Sequence, residues 1–554
     1  MKNILKNTLG VLDKREQKKF SMLIVLDIFI SLADILALAL LIWIIQFYIQ
    51  PDKENTLFFL PSWLFNRNSV SFIAVFVLCF AAKNAAAFFI SRAFYTFSSN
   101  VAIRISHNNL VNYQRASFEN FVHTDSSAHI RNICFQPFEY CQYMLSGIQQ
   151  LITQGSLILI AIIAIVLFNA NLFLLLLLIL LPPVVIVFYF IKKRLTDSKK
   201  HIRENNERSF QYLLDALKGY VEGNIYNRND FFLQRFINFR KKFSTYLFDT
   251  QAMQNLPNRI IEIFAVLGLF ILIAIAKWTG NNDTATLITI GAFMAAAYKI
   301  IPGIVKIINT IGQMKAYEFS INDLEQSKAI NKTANAITLE EITSIELNNI
   351  SFDYANQQVL HNFSLTINKG DFIGITGLSG KGKTTIINLL LGFLAPGKGS
   401  ILINGKPADS EALKRFWGSV AYVRQQAFLI YDSLLKNITL QETGEDEKKL
   451  QDALQHSGLD EFIAKTREGL GTTITENGKN ISGGQQQRIS IARALYKDAA
   501  LILLDEPFNE LDEASANTML EYFRELTVTG KSVIMITHDT KSLAYCNKII
   551  SLDE

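Results

Sequence analysis

Gly377-Leu378-Ser379-Gly380-Lys381-Gly382-Lys383-Thr384 is the stretch that decides how this chain is read. It fits the G-x-x-x-x-G-K-[ST] phosphate loop, follows the apolar Phe372, Ile373, Gly374 and Ile375, and precedes Ile386, Ile387, Leu389 and Leu390. A buried strand is therefore expected to enter the loop and a helix to leave it, which is the context the motif requires. The glycines let successive backbone N–H groups turn toward phosphate oxygens, and the helix adds its positive N-terminal end. Lys383 would neutralise β/γ-phosphate charge, Thr384 would hold magnesium, and Gly377, Ser379, Gly380, Gly382 and Thr385 would complete the cradle.

A phosphate loop alone is a weak signal, so its companions carry the reading. Leu501-Ile502-Leu503-Leu504-Asp505-Glu506 is an apolar run ending in two acids. A buried parallel strand of this kind would deliver Asp505 toward the magnesium and Glu506 toward an attacking water. A solvated strand end is the blander alternative, and the distance from the phosphate loop outweighs it. The chain is expected to bind ATP and Mg2+ and to cleave the nucleotide.

From about 344 to 554 the sequence resembles the ABC transporter family, with the markers in family order. Tyr354, in Ser351-Phe352-Asp353-Tyr354, matches the aromatic that stacks on adenine, and Gln425, in Tyr422-Val423-Arg424-Gln425, the glutamine that senses magnesium. Ile481-Ser482-Gly483-Gly484-Gln485 resembles the signature pentapeptide, Asp512 the D-loop aspartate, and His538, in Thr537-His538-Asp539, the switch histidine. The resemblance implies that Glu506 activates the water while His538 keeps water and γ-phosphate aligned. It also implies that Ser482, Gly483, Gly484 and Gln485 close over the nucleotide of an opposite subunit. One phosphate loop and one signature per chain then make dimerisation part of the chemistry.

The first 320 residues hold apolar runs of bilayer-crossing length, each needing about 20 residues. Six helices are expected, at roughly 20–49, 69–99, 147–169, 171–195, 258–279 and 285–315, with almost no charge at their centres. Lysine and arginine crowd the segment before the first helix (Lys2, Lys6, Lys14, Arg15, Lys18, Lys19) and the 196–257 segment, whereas the 170 turn and the 280–284 loop have none. Positive ends face the cytoplasm. The N-terminus and the ATPase portion are thus both expected on the cytoplasmic side of a bacterial inner membrane.

The fold class expected is a membrane α-helical domain of six helices, 1–322, a linker at 323–343, and an α/β P-loop NTPase domain of ABC type, 344–554. The long 100–146 and 196–257 segments resemble the cytoplasmic extensions of exporter-type ABC proteins. Gly219 to Phe236 and Glu476 resemble the coupling contacts of that type; a solvated charged face is the alternative. The net charge of +5 is accounted for by the positive-inside loops, so nucleic-acid binding is not read from it. Cys79, Cys134, Cys141 and Cys546 show no metal spacing, and disulfides are not expected. The first apolar run is too long for a signal peptide.

Asp34, Lys83 and Lys299 fall at membrane depth, where charges face a water-filled path or one another. A cargo path, an Asp34–Lys83 staple and ends that protrude beyond the bilayer all stay open on sequence. Arg424 before the Q-loop glutamine and Pro507-Phe508-Asn509-Glu510 depart from the family pattern, without removing a catalytic group. The resemblance as a whole implies a homodimeric exporter-type half-transporter in the lipid bilayer, with faint similarity to cyclic-peptide and siderophore exporters. Its cargo would be a modified or cyclic peptide or another small amphipathic molecule. A heterodimer with a degenerate partner, uptake of a metal chelate, lipid-linked substrate flipping and a non-transporting ATPase regulator are the alternatives.

Overall fold

The computed structural model describes residues 2–49, 71–116, 125–168, 201–278, 300–315, 341–354 and 357–553, with isolated positions between them. The chain divides into two compact units, Met1–Ala116 with Asn120–Thr333, and Ser117–Glu119 with Ala334–Glu554.

Among its described residues the first unit consists of helices joined by short turns, with no strand. α1 (Lys2–Val11) turns into α2 (Lys14–Ile49), followed by α3 (Ser71–Arg115). α4 runs from Ser126 to Phe168, its first part interrupted by two π-helical stretches, Arg131–Phe135 and Tyr140–Leu145. Then come α5 (201–218), the short α6 (Tyr220–Ile225), α7 (Asn229–Trp278) and α8 (300–315). Phe20, Phe94, Phe97, Val101, Tyr140, Met144 and Met314 meet in one buried cluster. Polar ties fix the entry of the chain around it. The Arg104 guanidinium donates to both carboxylate oxygens of Glu16, at 2.7 Å each, and to the Val11 carbonyl at 3.2 Å. The Tyr140 hydroxyl donates to the Thr8 carbonyl at 2.7 Å.

Lys14–Leu41, Ser71–Arg115 and Ser126–Leu167 are each long and apolar enough to cross a membrane. Much of the apolar surface in their most hydrophobic stretches faces outward: Phe29, Phe88 and Phe89 are exposed. Such outward apolar faces suit hydrocarbon as solvent. The expected fifth helix coincides with the end of α7 to within a residue, while the expected fourth, apart from isolated positions, and the first half of the sixth, with Lys299, fall outside the described residues. Lys83 donates to the Asp34 carboxylate, and Gln149 to that of Asp27. Asp34 and Lys83 form an ion pair, as the staple reading expects.

The second unit is α/β. An antiparallel sheet runs in the order β2 (Gln357–Asn368), β1 (Ser344–Tyr354), β4 (Lys398–Ile403), β5 (Lys406–Pro407). A parallel sheet has the order β11 (Lys548–Ser551), β3 (Phe372–Thr376), β10 (Ser532–Ile536), β9 (Leu501–Asp505), β6 (Val420–Val423). A small ladder pairs β7 (Asp432–Ser433) with β8 (Thr473–Ile474). All five residues of β9 and of β10 are buried, as continuous apolar runs of a sheet covered on both faces should be. α9 (Lys383–Leu390) leaves β3, and Ile386, Ile387 and Leu389 seat it in the core against Ile373 and Ile375. α10 (Gly483–Tyr496) and α11 (Glu513–Val528) complete the parts that bear on the site.

Candidate functional site

Four neighbouring strands of the parallel sheet end on one edge, and each hands a sequence-expected residue to it. β3 runs into the 377–384 loop, β9 ends at Asp505 and Glu506, β10 leads through Thr537 to His538, and β6 leads through Arg424 to Gln425. The carboxyl edge of a parallel sheet is where ligands of α/β domains bind. The loop itself turns on glycines: Gly380 and Gly382 have φ of 84° and 94°, a left-handed backbone that a side chain would resist. Lys383 donates to the carbonyls of Gly377 and Leu378, the latter at 3.1 Å, which bends its ammonium back over the loop. Thr384 is exposed beside it, whereas Thr385 is buried under the helix.

Asp505 is 5% exposed, and the Tyr422 hydroxyl donates to its Oδ2 at 3.4 Å. Burial pushes the Asp505 carboxyl above the usual carboxylate range and adjacent Glu506 adds to the rise, while Tyr422, Lys383 and Arg424 oppose it. Burial and the Asp505 charge push the Tyr422 hydroxyl up as well. Asp505, Thr384 and Gln425 each carry an oxygen donor, the chemistry that suits a small hard cation such as magnesium, which takes few protein ligands and relies on phosphates and water.

Glu506 takes a left-handed φ of 48°, and its N–H donates to the Ile536 carbonyl at 3.0 Å, pinning it to the end of the neighbouring strand. Its Oε2 accepts from Gln425 Nε2 at 2.8 Å and from Asn509 Nδ2 at 2.7 Å. Its Oε1 lies 3.7 Å from His538 Nδ1. The carboxylate is 17% exposed and the imidazole 66%, so a water beside Oε1 has access and an acceptor for its proton.

Ser482 begins α10 with a reciprocal cap. Its hydroxyl accepts from the Gln485 N–H at 3.3 Å, and its N–H donates to Gln485 Oε1 at 2.9 Å. A Glu510 carboxylate oxygen lies 2.8 Å from where a Cβ on Gly483 would stand, over the positive end of this helix. Gly483 and Gly484 are covered by Glu510: a Cβ on Gly484 would stand 2.8 Å from the Glu510 carbonyl oxygen. Asp512 caps α11, accepting from the Ser515 N–H at 2.9 Å and its hydroxyl at 2.7 Å, and these bonds hold its carboxyl below the usual range. Arg488 of α10 donates to the same Ser515 hydroxyl at 2.6 Å, tying the two helices together. Tyr354, at the end of β1, is 46% exposed with Phe352 packed edge-on beneath it at 4.9 Å. Among the described residues, no hydrogen bond joins the Ser482–Gln485 cap to the 377–384 loop.

Sequence reasoning singled out Asp505, Glu506, Gln425, His538 and Lys383, and the structure brings them to one edge. It missed Tyr422 and Asn509 as partners of the two acids. Their signal was faint: Tyr422 stands three residues before Gln425, and Asn509 lies in the segment that departs from the family pattern.

In the first unit, a groove of about 600 Å³ lies between α2 and α3, lined by Ala37, Leu40, Trp43, Phe76 and Cys79, with Lys83 beside them. On α6 and just beyond it, Tyr220, Val221, Ile225 and Tyr226 are exposed.

Residues 360–509 match the family model described as ABC transporter. The chain is 30% identical over 245 residues to a probable ABC transporter ATP-binding/permease protein of Haemophilus influenzae, a match covering 44% of each chain. It is 26% identical over 473 residues to an ATP-dependent lipid A-core flippase of Burkholderia orbicola, covering 82% of this chain and 79% of that protein. The chain spans about half the length of several curated relatives it matches, the Haemophilus protein among them. A bacterial Atm1-family ABC exporter solved with ATP bound superposes with a TM-score of 0.75 at 19% identity, covering 98% of this chain and 94% of that one.

Proposed function

We infer that this chain, whose ATPase domain belongs to the ABC transporter family and whose fold is that of an ABC exporter, works as a half-transporter that moves cargo across a membrane at the expense of ATP. The observation that carries the reading is Glu506 held beside Gln425 and His538 on the sheet edge that also bears the 377–384 loop, within a chain that also has bilayer-length helices. Tyr354 would stack on the adenine and Lys383 would turn from the loop carbonyls to the phosphates. Thr384, Asp505 and Gln425 would hold magnesium, which, when bound, neutralises charge on the phosphate oxygens. Glu506 Oε1 would take a proton from the attacking water, and His538 would keep that water in line.

The Ser482 to Gln485 cap makes its bonds within its own helix start, so we read it as serving a second copy, with Gly483, Gly484 and Asp512 at that contact. A homodimer would then hold two complete sites, and a heterodimer is the variant of this arrangement. Export is favoured over uptake because the fold likeness is to an exporter and the relatives include a flippase. The apolar groove beside the Lys83–Asp34 pair suits a small amphipathic or peptide cargo. The lysine and arginine distribution supports membrane insertion with the ATPase unit in the cytoplasm.

The test is ATP turnover of the full chain in lipid nanodiscs, with Glu506→Gln beside it and peptide, siderophore, lipid-linked and drug-like cargo added in turn. Turnover that depends on Glu506 and is stimulated by one cargo class supports the reading; turnover indifferent to Glu506 removes the assigned base.

A further inference from the structure

We propose that Asn509 is a positioning residue for Glu506, gripping one carboxylate oxygen so that the other stays turned toward His538 and the water. The proposal rests on the reading of Glu506 as general base. Asn509 Nδ2 and Gln425 Nε2 both donate to Oε2, at 2.7 and 2.8 Å, and neither takes Oε1. A free glutamate carboxylate rotates broadly about its last torsion. Two amide donors on one oxygen remove that freedom, and bonds to an ionised acceptor are the strong kind.

The two holds differ in origin. Gln425 follows β6, a neighbouring strand, and on the reading above its amide is shared with magnesium. Asn509 belongs to the turn that Glu506 itself begins. The left-handed φ at Glu506 reverses the chain, Pro507 fixes the next φ, and the Leu511 N–H donates to the Phe508 carbonyl at 3.0 Å to close the turn. The side chain three residues on thereby returns over the carboxylate. Asn509 is the hold that persists when Gln425 is engaged elsewhere.

The experiment compares Asn509→Ala, Asn509→Asp and Asn509→Gln with wild type in the reconstituted full chain, reading kcat and KM for ATP, metal-free nucleotide affinity and melting temperature. Misplacing the base should lower kcat by about 10- to 100-fold in Asn509→Ala, with KM, affinity and melting temperature unmoved. Asn509→Asp keeps the shape, loses the donor and adds a like charge, so it should fall at least as far. Asn509→Gln, which keeps an amide donor, should retain more turnover than Asn509→Ala. An Asp variant as fast as wild type, a Gln variant no better than Ala, or losses confined to KM or to melting temperature would overturn the role. Wild-type turnover with every Asn509 variant unchanged would sink this proposal and leave the general base standing; wild type no faster than Glu506→Gln would remove both.

Discussion

Asp505 closes a strand whose residues are all buried, and its carboxyl is pushed up by burial first and by Glu506 second. An acid with a raised folded-state pKa binds more protons folded than unfolded, so its contribution to stability falls as pH rises through those values. At neutral pH its charge therefore works against the fold. Asp505→Asn should raise the melting temperature of the nucleotide-free protein, by about 2–4 °C per kcal/mol relieved, while ATP turnover is lost. Differential scanning fluorimetry beside an ATPase assay reads both, and a lower melting temperature would refute the burial argument. Glu506→Gln keeps shape and hydrogen bonding but cannot accept a proton, so kcat should fall at least about 100-fold with ATP affinity kept. Legibility differed among these residues. An apolar run ending in Asp-Glu announces both acids, whereas nothing local says that Glu506 takes a left-handed φ, and without that turn Asn509 has no reason to meet it.

At the next scale, short elements present the side chains and caps hold the elements. α10 starts where Gly484 lets the Glu510 backbone approach, and a methyl there would stand 2.8 Å from a carbonyl oxygen that cannot swing away. Gly484→Ala should destabilise by about 1–3 kcal/mol and lower turnover, measurable as a shifted urea midpoint and a reduced kcat. Asp512 and Asp539 cap α11 and the 540–543 turn, and the Ser515 and Ser542 hydroxyls hold their carboxyls below the ordinary range. Depressed acids give stability that is present above the unfolded pKa and is lost as pH falls through the folded one. Melting temperature should drop as pH goes below about 4, and Asp512→Asn with Asp539→Asn should flatten the drop, since asparagine caps without titrating. The strand–loop–helix unit at 372–390 was legible because its apolar runs are bounded by glycines. The π-helical stretches of α4 were not, because they accompany distant partners: Arg131 meets Glu207, and Tyr143 stacks on Tyr317 at 3.8 Å. Three of the expected spans were legible from length and hydropathy alone.

On the proposed reading of the molecule as a whole, a chain with one phosphate loop and one signature would be half of a working pair. ATP turnover should depend on copy number: nanodiscs holding two copies should hydrolyse ATP with positive cooperativity, and those holding one copy should be nearly inactive. Equal turnover per copy in single- and double-copy discs, separated by size, would remove the second copy from the chemistry. The same dependence should not appear in nucleotide binding at the Tyr354 side, which lies within one chain.

The Lys83 and Asp34 pair has a consequence for how the chain enters the bilayer. A lone lysine or aspartate at the centre of a spanning helix costs about 2.5–3.5 kcal/mol on insertion. α2 emerges first carrying Asp34, and its counterion arrives 49 residues later on α3. Partitioned one at a time, each helix bears its own penalty; partitioned together, the charges neutralise each other before they meet hydrocarbon. Two spanning helices matched in this way would enter hydrocarbon at lower cost as a pair than one at a time.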